Sequence, residues 1–296
     1  MMYANMKTPN PSTTPYRLIA LDVDGTLLDK QGGVTPDTKA TLQRLAGQGV
    51  HVALATGRRY IIANFLPKLL DISLYMILSN GAVIRDHTGE ITYESYLPSD
   101  WAWRAVEEAR RLNLRSTVYE NAAAGDRMLF DGDWHAHRGP QGQLKRRPEL
   151  ESLFVDLNTV TDLPDPIEIV LWGEEEELRE LADALVSTGH DYTLVFWRGR
   201  ESSSFVRDGQ SALEILGPNT SKATALTWLC AHLAIEPAQV VAFGDDVNDI
   251  EMLQFAGLGV AVGNATQAAR DAADEYTHND DHEAVARTLQ RLYLDD

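Results

Sequence analysis

From Tyr16 onward, short runs of aliphatic and β-branched residues alternate with longer stretches whose apolar positions recur at helical spacing. That is the pattern of a parallel sheet covered by helices. The apolar run at residues 17–23 (RLIALDV) predicts a strand, followed by a helix over 36–48, a strand over 51–56, a helix over 59–70 and a strand over 74–80. The alternation returns late, with a helix over 222–232, a strand over 239–244, a helix over 247–255 and a strand over 258–263. The sheet is therefore split in sequence.

Between the halves the texture changes. Hairpin-like strands around 90–96, helices near 101–112 and 174–187, and strands at 167–172, 192–198, 203–207 and 212–216 predict an inserted α+β domain over residues 84–217. The flanking segments, 15–83 and 218–296, would form the sheet domain, and an insertion over a sheet's end can act as a lid. Residues 1–14, rich in Pro, Thr and Asn and without an apolar core, read as a disordered leader rather than a signal peptide.

Composition narrows the function classes. The 296 residues, 44% hydrophobic, suffice for one large domain or two ordinary ones, and no repeat of solenoid period interrupts them. A net charge of -18 argues against nucleic acid or an anionic membrane surface as partner, because both recruit clustered Lys and Arg. No apolar run reaches the roughly 20 residues that a membrane helix needs. The single cysteine, Cys230, excludes an internal disulfide and a multi-cysteine zinc site. These features point to a cytoplasmic protein; its oligomeric state is not encoded in any pattern.

Four segments carry candidate chemistry. In Asp22-Val23-Asp24-Gly25-Thr26 an apolar strand ends in two carboxylates that alternation sends to one side, with a glycine to turn the chain beneath them. Their repulsion is costly unless a cation lies between them or one holds a proton. An ordinary Asp- and Gly-rich turn is the bland alternative. Gly244-Asp245-Asp246-Val247-Asn248-Asp249 ends another apolar strand before a helix; Asp246 can cap that helix and Asp249 can complement its dipole, but capping does not require Asp245. Carboxylates from Asp22 and Asp245, with a backbone carbonyl near Asp24, would suit Mg²⁺. Lys222 starts a helix after Asn219-Thr220-Ser221, where it opposes the dipole; either it is a solvated surface lysine or it faces an anion such as phosphate. Thr56-Gly57-Arg58 closes a third strand, where the Thr56 hydroxyl and Gly57 amide could hold phosphoryl oxygens.

Taken in their order along the chain, the segments resemble the motifs of the haloacid dehalogenase-like superfamily, in particular its Cof-type phosphatases with a large α/β cap (type IIB). The resembling stretches are DVDGT, ATGR, TSKATAL and GDDVNDIEML, with SNGAVI and VAVGNA as further matches over residues 17–292. The resemblance implies a Rossmann-like parallel sheet of order 3-2-1-4-5 with an inserted cap, and Mg²⁺-dependent hydrolysis of a small phosphorylated metabolite. It implies Asp22 as nucleophile, Asp24 as acid and base, and Thr56, Gly57, Lys222 and Asn248 around the phosphoryl group. It further implies metal ligation by Asp22, Asp24 and Asp245, with Asp249, Arg58 and Asn80 in support. A sugar phosphomutase and a phosphate-ligand sensor without turnover are the alternatives.

Other features remain outside this pattern. Trp134, His135, His137 and Arg138 form a cluster in the insertion that reads as substrate-contacting or merely exposed, two histidines alone making a poor metal site. Trp197-Arg198 reads as packing and Glu174 to Glu177 as a solvated helix start. Residues 279–285 (NDDHEAV) lack the Gly-Val pair common in relatives. The glycines around residues 257–263 flank a strand instead of opening a helix, which rules out a dinucleotide-binding loop.

Overall fold

The computed structural model describes residues 16–29, 31–136, 147–198, 211–278 and 283–293. The expected leader, the strand expected at 203–207 and residues 279–282 lie outside these. The chain divides into two compact units, one running to Tyr93 and resuming at Ser221, the other Glu94–Thr220.

Strand β1 (Leu18–Asp22) is buried at all five residues, as expected of a strand covered on both faces. Helix α1 (Pro36–Gly47) opens with Thr35 as its cap, whose side chain accepts from the Thr38 N–H, and with proline in its first turn. After β2 (His51–Ala55), the single helix expected over 59–70 is instead two short ones, α2 (Tyr60–Ala63) and α3 (Leu66–Leu70). Pro67 has no N–H to give the Ala63 carbonyl and its ring crowds that position, so helix can restart only with the proline in a first turn. Strand β3 (Tyr75–Leu78) runs into Ser79, Asn80 and Gly81, with φ of 46°, 52° and 105°, before β4 (Val83–Arg85) and β5 (Ile91–Glu94).

The chain continues through α4 (Ser99–Arg111), β6 (Ser116–Tyr119), β7 (Met128–Phe130), β8 (Phe154–Asp156), β9 (Glu168–Gly173), α5 (Glu175–Ser187), β10 (Thr193–Arg198) and β11 (Ser211–Leu216). It then forms α6 (Lys222–Leu233), β12 (Val240–Gly244), a 3₁₀ turn at Val247–Asp249, α7 (Ile250–Phe255), β13 (Leu258–Ala261), α8 (Gln267–Ala272), β14 (Glu275–Tyr276) and α9 (Ala284–Tyr293).

The first unit holds a sheet of order β14-β13-β12-β1-β2-β3-β4-β5. Its strands from β14 to β3 are parallel, and β4 joins antiparallel to β3. The five strands β3-β2-β1-β12-β13 reproduce the anticipated 3-2-1-4-5 order. Both acidic segments follow neighbouring strands, since Leu21 pairs with Phe243. The strand order reverses between them, the place where such sheets bind ligands. Leu18, Ala20, Ala53, Ile77, Leu226, Leu229, Val240 and Met252 belong to one buried core.

The second unit is a six-stranded sheet of order β10-β11-β9-β6-β7-β8, antiparallel except where β7 meets β8. Val118, Ile169, Leu171, Leu213 and Ile215 pack with Ala102, Ala105 and Val106 of α4 and Leu178, Leu181 and Leu185 of α5. Glu174 precedes α5, and its N–H donates to the Glu177 carboxylate, so this acidic run caps the helix. Arg198 pairs with Glu175 of α5, and Arg179 lies over the Phe196 ring. Among the described residues no helix is long and apolar enough to cross a membrane.

Gly81 tests how tightly β3's end is built. A Cβ there would lie 2.1 Å from the Ser221 carbonyl oxygen, and its φ of 105° disfavours any L side chain. Gly81→Ala should cost about 2–4 kcal/mol, from backbone strain and overpacking combined. A urea midpoint unchanged at constant slope would disprove this account of the turn.

Candidate active site

Asp22, the last residue of β1, is buried, and Lys222, at the start of α6, is 1% exposed. Ser221 caps α6 by accepting from the Thr224 N–H, which places Lys222 in the first turn. Its Nζ donates to Asp22 Oδ1 at 2.6 Å and to Asp249 Oδ1 at 2.7 Å. The surface-lysine alternative is thereby set aside. Burial alone would lower the Lys222 ammonium, but Asp22 and Asp249 outweigh it and hold it well above the ordinary lysine value.

Asp249 is fully buried and is more than a dipole-complementing charge. Its Oδ2 accepts from the backbone N–H groups of Asp245 and Asp246 at 3.0 and 3.1 Å. Asp246 takes the capping role, accepting from the Val247 N–H at 2.7 Å. The Asp245 carboxylate is held by the Thr26 hydroxyl at 3.3 Å and the Asn264 amide at 3.2 Å. Gly25 stands beside it with φ 91°; a Cβ there would come within 2.7 Å of Asp245 Oδ2. Thr26 and Asn264 sit inside the segments DVDGT and VAVGNA, yet sequence reading gave neither a role. Nothing in the one-dimensional pattern says that they converge on Asp245.

One ligand oxygen from each of Asp22, Asp245 and Asp249 can be chosen so that all lie within 4.8 Å of one another. Asp22 Oδ2 is buried and has no hydrogen-bond partner among the described residues. Burial first, only partly offset by Lys222, and then the nearby Asp249 and Asp245 push the Asp22 carboxyl well above the usual carboxylate range. Three carboxylates against one ammonium leave unbalanced negative charge, which fits a divalent cation. Sequence reading took carboxylates from Asp22 and Asp245 as ligands, with a backbone carbonyl near Asp24 and with Asp249 in support; the buried carboxylate cluster adds Asp249 to Asp22 and Asp245.

The Asp24 side chain instead meets Arg58, whose Nε and Nη2 donate to its two oxygens at 2.8 and 2.6 Å. Thr56 is buried at the end of β2 and its hydroxyl accepts from the Arg58 N–H at 3.1 Å. Gly57 lies against Asn80, and Asn248 donates to Asn80 Oδ1 at 2.8 Å. The Asn80 side chain thus connects β3's end to the turn after β12. Trp134 and His135 belong to the second unit, where their rings stack and His135 meets Asp133 at 2.7 Å. His137 and Arg138 lie outside the described residues.

Comparison with known proteins identifies one family. The family model described as haloacid dehalogenase-like hydrolase matches residues 19–289. The chain is 30% identical over 252 residues to an HMP-PP phosphatase of Serratia proteamaculans (strain 568), covering 84% of this chain and 85% of that one. It is 27% identical over 290 residues to the 5-amino-6-(5-phospho-D-ribitylamino)uracil phosphatase YitU of Bacillus subtilis (strain 168), covering 95% and 98%. A solved haloacid dehalogenase-like hydrolase from Bacteroides thetaiotaomicron superposes with a TM-score of 0.74 at 25% identity, over 94% of this chain and 100% of that one.

Removing the ammonium should expose how much the cluster depends on it. Lys222→Met leaves two buried carboxylates without their shared cation and should destabilise the protein by about 3–5 kcal/mol, measured by denaturant unfolding in the presence of a chelator. A loss below about 1 kcal/mol would mean that the ion pair is not what permits these carboxylates to be buried.

Proposed function

The chain belongs to the haloacid dehalogenase-like hydrolases, and from that membership we propose that it hydrolyses small phosphate monoesters through an aspartyl-phosphate on Asp22. The observation that carries the reading is Asp22 itself: buried at a strand end, one oxygen fixed by Lys222 and the other without a hydrogen-bond partner among the described residues. An oxygen so held can attack an electrophile without first breaking a bond to the protein.

In this reading Asp22 Oδ2 attacks phosphorus, a new O–P bond forms, and the bond to the ester oxygen breaks. Asp24 gives its proton to the departing alkoxide and then, as carboxylate, takes one from the water that cleaves the aspartyl-phosphate. Lys222, Thr56 and the Gly57 amide attract the phosphoryl oxygens, and Asn248, oriented by Asn80, adds a further donor. Mg²⁺ held by Asp22, Asp245 and Asp249, with a backbone carbonyl near Asp24, would supply positive charge that offsets the repulsion between a carboxylate and a phosphate dianion. The unit Glu94–Thr220 takes the part of the inserted cap domain. Acidity and the lone cysteine support a cytoplasmic setting.

The test is phosphate release from a panel of esters, with Mg²⁺ or chelator, comparing wild type with Asp22→Asn. The panel includes sugar phosphates together with 5-amino-6-(5-phospho-D-ribitylamino)uracil and HMP-PP, the compounds named for the two relatives. Magnesium-dependent release that disappears in Asp22→Asn is expected. Full activity in that variant would remove Asp22 as nucleophile, and binding without release from any ester would move the protein to the class of phosphate-ligand sensors. Turnover only with a sugar bisphosphate present would identify a mutase.

A further inference from the structure

We infer that Arg58 is a positioning residue for Asp24, setting the orientation of the carboxyl group that serves the leaving oxygen; the inference rests on the role proposed above for Asp24. The guanidinium and the carboxylate meet fork to fork, Nε to Oδ2 at 2.8 Å and Nη2 to Oδ1 at 2.6 Å. Two parallel hydrogen bonds fix the rotation of a carboxylate about its own axis, which a single contact cannot do. Asp24 lies beyond the end of β1, in a turn joined to Leu28 by an isolated bridge.

Arg58 is itself well anchored. Its N–H donates to the Thr56 hydroxyl at 3.1 Å and its carbonyl accepts from the Ser79 N–H at 3.1 Å, while the guanidinium carbon lies 6.0 Å from the centre of the Phe65 ring. The turn that presents Thr56 and Gly57 therefore also presents the clamp on Asp24. A phosphate held by that turn and a carboxyl held by its next residue share one rigid frame, so the acid is placed relative to the phosphoryl group by a single short peptide. Each carboxylate oxygen keeps a second lone pair after accepting from Arg58, which leaves a site for the proton. Both side chains are partly open to solvent, at 23% and 30%, so water and substrate can reach the pair.

The consequence concerns leaving groups. Departure of an aliphatic alkoxide needs a well-placed proton, whereas departure of p-nitrophenolate does not. Arg58→Ala should lower kcat for alkyl phosphates by about 10- to 100-fold, the scale of a misplacement of about 1 Å. The loss on p-nitrophenyl phosphate should be much smaller, with KM for each ester little changed. Arg58→Lys keeps the charge without the fork and should recover only part of the alkyl rate. In an Asp24→Asn background, Arg58→Ala should have no further effect on the ratio of alkyl to nitrophenyl rates, because the residue through which it acts is already disabled.

Equal losses on both esters, or an undiminished effect of Arg58→Ala in the Asp24→Asn background, would overturn the inference in favour of a phosphate-binding or purely structural arginine. The reading of Asp24 fails separately: if Asp24→Asn shows no preference for the activated ester, Asp24 is not the acid and Arg58 cannot be its positioner. Thermal unfolding of each variant identifies losses that come from misfolding, and Arg58→Lys then decides the matter as the milder change.

Discussion

A single buried ammonium holds the site together. Lys222 Nζ touches Asp22 at the end of β1 and Asp249 beyond β12, and its own backbone starts α6, so one charge joins three chain segments far apart in sequence. Burying an unpaired lysine would be prohibitively expensive, and so would burying either carboxylate alone. Each is tolerable only because the others are present. The hold then spreads through hydrogen bonds: Asp249 receives the N–H groups of Asp245 and Asp246, which fixes the turn that carries Asp245, and Thr26 and Asn264 fix its carboxylate. The desolvation cost of the ammonium is thus spent on aligning acidic groups that would otherwise repel one another.

The sheet makes this alignment inexpensive. Parallel strands in register end at about the same height, so residues following β1, β2 and β12 converge without long loops. The reversal of strand order between β1 and β12 keeps connections from crossing over those ends. A site built on strand termini inherits the rigidity of the sheet, which suits groups that must be aligned before the substrate arrives.

Sequence pattern recovered what depends on local periodicity. The strands leading to Asp22, Thr56 and Asp245 are short apolar runs cut off by Gly and Asp, whereas the order of the parallel strands came from the family resemblance and not from periodicity. It failed where the determinant is three-dimensional. The strands Ser116–Tyr119, Met128–Phe130 and Phe154–Asp156 escaped detection. They have only three or four residues each, and Ser116–Tyr119 and Met128–Phe130 are buried throughout, so they show no alternation to read. Pro67 was a readable signal against one long helix over 59–70, and apolar spacing masked it. Asp249 looked like a favourable helix-start charge because its partners, Lys222 and the Asp245 amide, are distant or backbone. Arg58 was placed in support without a partner, since nothing linear joins it to Asp24.

The two acidic residues of DVDGT end in different environments, and the difference accords with the work proposed for them. Asp22 is packed against an ammonium with almost no solvent access, which favours a nucleophile whose geometry must not vary. Asp24 stands two residues later, partly open, in a fork with an arginine that is itself partly open. Between giving a proton to the leaving alcohol and taking one from the attacking water, such a group must let the alcohol depart and a water molecule enter beside it, so complete burial would defeat it. An arginine is the appropriate support there. It remains cationic throughout the cycle and holds the carboxyl by direction rather than by enclosure. The single intervening residue, Val23, is fully buried and lets one strand end serve both requirements: the core keeps its grip on the chain between a carboxylate that must stay fixed and one that must stay accessible.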